Sequence, residues 1–169
     1  MPGLTITITK GQRDDRIAIA RADGSTAQTC FPHKGPVPHD AVHFFTERGL
    51  ALPHAFWGLI GQGRHPEELA ELAKAQGHAS AKRAQVPGAD IVQLLQAERL
   101  VECFEAQLWA HAAPDAAFMD VARVACELSH VPLPPISLDQ CGAVMAEIFD
   151  FAKSWMAAPV GHAATLEWN

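Results

Sequence analysis

Between Phe31 and Gly49 the chain reads FPHKGPVPHDAVHFFTERG, placing three histidines, two carboxylates and a run of prolines in nineteen residues. His39, His43 and Glu47 recur every four residues, so on a helix they share one face. Two histidines one helical turn apart can both reach a divalent cation, zinc or another, which is why HExxH proteases carry that spacing. Here the acid between them is Asp40, giving HDxxH. Aspartate is one methylene shorter than glutamate and would meet a metal-bound water differently, which counts against a protease of that type.

Helix rise limits what the row can do. Residues eight apart on a helix are separated by roughly 12 Å along the axis, whereas metal–ligand bonds are about 2.1 Å. His39 and Glu47 therefore do not share one ion on a regular helix. The bidentate units are His39/His43 or His43/Glu47, with Asp40 or Glu47 as general base or orienting group. A further ligand must come from elsewhere, and His33, just upstream, is the first candidate, ahead of His54, His78 and Cys30. The alternative is structural: His43 and Glu47 form an i,i+4 pair worth a few tenths of a kcal/mol, and the histidines tie the prolyl loop to the helix.

The run PHDAVHFFTERGL, followed by FWGLIGQG, resembles an uncharacterised bacterial protein family with a PHDxxHF/Y motif before an FWG segment. The resemblance spans about residues 31–63 and rests on His39, Asp40, His43, Phe44, Glu47, Phe56, Trp57 and Gly58. It implies that the motif is the family's hallmark, and it implies no activity.

The elements that must position these residues follow from periodicity. Residues 4–10 and 16–21 alternate apolar and polar, Asp23-Gly24 signals a hairpin, and 25–31 completes a three-stranded antiparallel meander. Pro38 opens a helix that ends at Gly49. A short apolar segment follows Pro53, and its glycines (Gly58, Gly61, Gly63) do not form a dinucleotide fingerprint. A helix covers 66–76 and closes at Gly77, and 77–89 reads as a loop. Asp90 with Gln93 and Ser137 with Gln140 look like capping boxes, opening helices to about 112 and about 158. A further apolar stripe runs from Phe118 through Val121 to Leu128, and the tail after Pro159 reads as irregular. The fold class is α+β: a small N-terminal sheet, about 4–31, followed by a mostly helical bundle, about 38–158, in one domain.

Composition narrows the function classes. A chain of 169 residues with 49% hydrophobic content can bury a core without metal or disulfide help. The formal net charge of −6 argues against nucleic acid as a partner. No apolar run reaches the ~20 residues of a membrane span, and no signal peptide is visible. The four cysteines are widely spaced, without CxxC, and fit a reducing, cytoplasmic setting. The apolar helix faces leave a homodimer open, and the sequence does not identify a small-molecule ligand. Two readings stand: a domain with a structural or binding role built around a polar His/Asp/Glu cluster, or a divalent-metal-dependent enzyme, most plausibly a hydrolase, using His39 and His43.

Overall fold

The computed structural model describes residues 3–83 and 86–169. Strands β1 (Leu4–Thr9), β2 (Asp14–Arg21) and β3 (Thr26–Pro32) form the expected meander. Alternation places Leu4, Ile6, Ile8, Ile17 and Ile19 on one buried face. At the β2–β3 turn, Gly24 takes a φ of +83°, and the Asp23 carboxylate accepts from the Ser25 N–H at 2.8 Å.

The sheet has a fourth strand. Ala163–Trp168, in the tail expected to be irregular, forms β4 and pairs antiparallel with β1, giving the order β3-β2-β1-β4. Its register sets Leu166 opposite Ile6 and Trp168 opposite Leu4. The alternation over six residues is short and only half apolar, so it becomes readable as a strand once β1 offers an edge.

Among the described residues six helices cover the apolar face and flank it: α1 (His39–Gly49), α2 (Phe56–Gly61), α3 (Pro66–Arg83), α4 (Val92–Ala110), α5 (Ala116–Leu128) and α6 (Leu138–Ala157). Helix α1 is the hub, packing against α2, α4 and α6. Every residue from Ala41 to Glu47 is buried, polar ones included. Polar groups buried in this way are costly unless hydrogen-bonded; His43 and Glu47 find partners, whereas the Thr46 hydroxyl has none among the described residues.

Several expected boundaries move. Helix α3 runs through Gly77 to Arg83, so most of the expected 77–89 loop is helical, and residues 84 and 85 lie outside the described ones. The expected Asp90/Gln93 box is absent: a 3-10 turn over Ala89–Ile91 leads into α4, and the Gln93 side chain instead accepts from the His54 N–H at 2.7 Å. The Ser137/Gln140 box is present in both directions, at 3.2 and 2.8 Å. Gly49 ends α1 for a packing reason, since a Cβ there would lie 2.3 Å from Val144 Cγ2 of α6. On α5 the buried positions are Phe118, Ala122 and Cys126, while Val121 and Leu128, expected inside, are exposed. Trp109, also at an apolar position, is half exposed, whereas Trp57 and Trp155 are buried.

Candidate metal centre

Helix α1 aims His39 and His43 at α4, where they meet Glu98. One ligand-type atom from each of His39, His43 and Glu98 lies within 4.8 Å of the others, the single such group among the described residues. His43 Nε2 donates to Glu98 Oε2 at 2.9 Å, and His39 Nε2 stands 3.6 Å from Glu98 Oε1. The imidazole centroids are 4.8 Å apart and the rings are steeply tilted, at 70°. Both Nε2 atoms thus converge on one carboxylate.

The far nitrogens are equally committed. His39 Nδ1 donates to Glu105 of α4. His43 Nδ1 donates to Glu47 Oε1 at 3.1 Å. Each imidazole is held by a carboxylate on the side away from Glu98. That arrangement fixes ring orientation and keeps a proton on Nδ1, with Nε2 of each ring facing Glu98.

Glu47 is fully buried and both its oxygens are occupied. Oε2 accepts from the backbone N–H groups of Trp57 at 2.7 Å and Gly58 at 3.3 Å. Helix α2 has no side-chain cap of its own, so Glu47 satisfies its first-turn donors and adds a negative charge at its positive end. Gly58 must be glycine, because a Cβ would sit 2.2 Å from Pro53 O. The Trp57 indole in turn donates to the Asp40 carbonyl at 2.9 Å, and the Phe56 ring lies 6.3 Å from that of His43. The HDxxH run and the FWG segment, read separately in the sequence, are one hydrogen-bonded unit.

Electrostatics follow from this packing. Burial opposes charge on His43, but Glu47 and Glu98 outweigh it and carry the imidazole up to about 10. His39 experiences the same opposition and is raised to about 9 by Glu105 and Glu98. Glu98 loses solvation too, yet its bonds to the two histidines hold it well below the usual carboxylate range. Burial pushes Glu47 up, against the pull of His43 and the two backbone donors. With three donors and no acceptor in reach of its oxygens, we assign Glu47 as the ionised partner of His43. Asp40 is raised, chiefly by burial, against the attraction of His43, His39 and Lys34.

His33 lies apart from this group. Its Nε2 donates to the buried Asp15 at 2.8 Å, at the end of β2, and Asp15 also accepts from Gly11 N–H. Asp40 lines the same cleft as His39 and His43. Sequence reasoning did not nominate Glu98 or Glu105, which stand 55 and 66 residues from their histidine partners. A signal existed: Glu98, Glu102 and Glu105 repeat at four-three spacing along α4, placing its three acids on one side of the helix.

The group opens onto a cleft of about 620 Å³ between α1, α3, α4 and the end of β3. A second cleft of about 990 Å³, near α2 and the loop before α6, contains none of the three. No helix among the described residues is long and apolar enough to cross a membrane. Compared with protein-family models, curated proteins and solved structures, the chain matches none.

Proposed function

We propose that the protein binds one divalent cation through His39 Nε2, His43 Nε2 and Glu98, and that it uses the ion as a metal-dependent hydrolase. The observation that carries this reading is the paired outer support: Glu105 on His39 Nδ1 and Glu47 on His43 Nδ1, both leaving Nε2 turned toward the same carboxylate. Two histidines and one glutamate form a donor set that leaves coordination positions open for water and substrate, as catalytic zinc requires. His39, His43 and Glu98 all line the cleft, so an ion that they held would be reached from it. Asp40, half-buried on the cleft wall with its carboxyl raised chiefly by burial, would serve as the general base if an ion were held there. Glu47 acts as a positioning residue.

Without metal, the same atoms form a protonated clamp in which Glu98 joins α4 to α1 through both imidazoles. Proton and cation are alternative occupants, since a metal must displace the Nε2 proton. The test is calorimetric titration of zinc into chelator-stripped protein. Binding of one equivalent, weakened at least tenfold in Glu98→Ala, is expected. Absence of binding together with an unchanged melting temperature on adding zinc would refute the reading and leave the clamp alone.

A further inference from the structure

The cleft beside the triad opposes the charge of the chain. The protein carries a formal net charge of −6, yet Lys34, Lys74 and Arg99 line the cleft against two carboxylates, Asp40 and Glu98. A divalent ion held by Glu98 would tip that local balance further toward positive. Arg99 adds a sharper sign. Its Nη2 pairs with Glu102 at 3.0 Å, but its Nε is buried and has no hydrogen-bond partner among the described residues. The Arg99 side chain as a whole is 32% exposed and lines the cleft, so its guanidinium offers charged donors to an anion there.

The remaining wall is apolar. Phe31, Phe56, Leu94 and Leu95 line it. The Phe31 and Phe56 rings are 6.3 Å apart, and Phe56 stands the same 6.3 Å from His43, so apolar surface continues up to the triad. The volume, about 620 Å³, falls within the range of small-molecule sites. A cationic ligand would face three cations. A sugar would press unpaired hydroxyls against phenyl and leucyl walls.

We infer that this cleft takes a small amphipathic organic anion, its apolar body on Phe31, Phe56, Leu94 and Leu95 and its carboxylate on Arg99 and Lys34. The inference deepens the metal reading by naming the substrate class of that site, while its recognition residues are not the proposed metal ligands.

The experiment titrates sodium octanoate and octylammonium chloride into zinc-treated wild-type protein, Arg99→Met, Arg99→Lys, Lys34→Met and Glu98→Ala. Zinc binding is measured separately on each. Octanoate is expected to bind wild type at least tenfold more tightly than octylammonium. Arg99→Met should weaken octanoate at least fivefold, Arg99→Lys should recover part of that loss, and both should bind zinc as wild type does. If Arg99→Met fails to fold, Lys34→Met, on the β3–α1 connection, carries the same expectation. Octanoate binding that survives Arg99→Met and Lys34→Met but disappears in Glu98→Ala would show a carboxylate held by the metal alone. That overturns this inference and leaves the metal reading intact. Arg99-dependent octanoate binding in a protein that takes no zinc would do the reverse. Equal affinity for the two amphiphiles, or no octanoate binding to zinc-loaded protein, also overturns it.

Discussion

Replacing Glu47 by glutamine changes one atom in a fully buried side chain and tests the logic of the site. Three donors surround that carboxylate: His43 Nδ1, Trp57 N and Gly58 N. A glutamine has one oxygen and one NH2. The two backbone N–H groups cannot turn away, so the oxygen must stay on their side and the NH2 must face His43. His43 then has to accept at Nδ1, which moves its proton to Nε2, the atom aimed at Glu98. In that tautomer Nε2 has no lone pair for a metal. Loss of such an outer partner typically costs 10- to 100-fold in metal affinity, or about 1.4–2.7 kcal/mol. The fold should suffer less, because the substitution keeps the volume, removes a buried charge and lets the hydrogen bond to His43 re-form in the opposite direction. Glu47→Ala is the contrasting case, breaking one of the two carboxylate pairs of His43 and leaving its Nδ1–H and two helix-end donors unpaired, at a cost of roughly 3–5 kcal/mol. The assay is competitive zinc titration against a chromophoric chelator, paired with urea unfolding. Zinc affinity in Glu47→Gln within threefold of wild type would refute the claim that Glu47 sets the tautomer of His43.

Other outcomes follow from the same geometry. In metal-free protein, His39 and His43 titrate at about 9 and about 10, above their ordinary 6.5. Raised histidines stabilise fully below the unfolded value and lose that contribution as pH climbs through the folded one, so the urea midpoint should fall between pH 6.5 and 10. A midpoint flat over that interval in the presence of chelator would contradict the clamp. Zinc affinity should run the opposite way, rising with pH as the protons leave, measured by titration at pH 6 and 8. Gly58→Ala places a methyl 2.2 Å from Pro53 O and should destabilise by about 1–3 kcal/mol as an overpacked site, read by thermal melting; a wild-type melt would show that α2 moves freely. Deleting residues 163–168 strips β4 from β1 and uncovers the buried Leu4, Ile6 and Ile8 row, and should abolish the cooperative unfolding transition seen by circular dichroism.

Local pattern was enough for the meander, because alternation is a property of consecutive residues and the Ile6–Ile8 and Ile17–Ile19 rows declare their face unaided. The 66–76 helix and the Ser137 box were legible for the same reason. Boundaries set by packing were less so. Gly49 reads as a conformational stop and is a close approach to Val144, while Val121 and Leu128 read as core and are exposed. Strand β4 depends on an edge supplied by a segment at the other end of the chain.

The candidate site divides along the same line. Sequence alone determined the histidine pair, since one helical turn separates His39 from His43 whatever surrounds them, and it determined through helix rise that Glu47 could not join His39 on one ion. It could not supply Glu98 or Glu105, because a carboxylate becomes a partner only when two helices pack in register, and α1 meets α4 across more than fifty residues of chain. Nor could it assign Glu47 its work. That residue lies one turn from His43 in the sequence, and it acquires its second task, capping α2, only because the buried Ala41–Glu47 stretch packs against α2 and brings the carboxylate onto the N–H groups of Trp57 and Gly58.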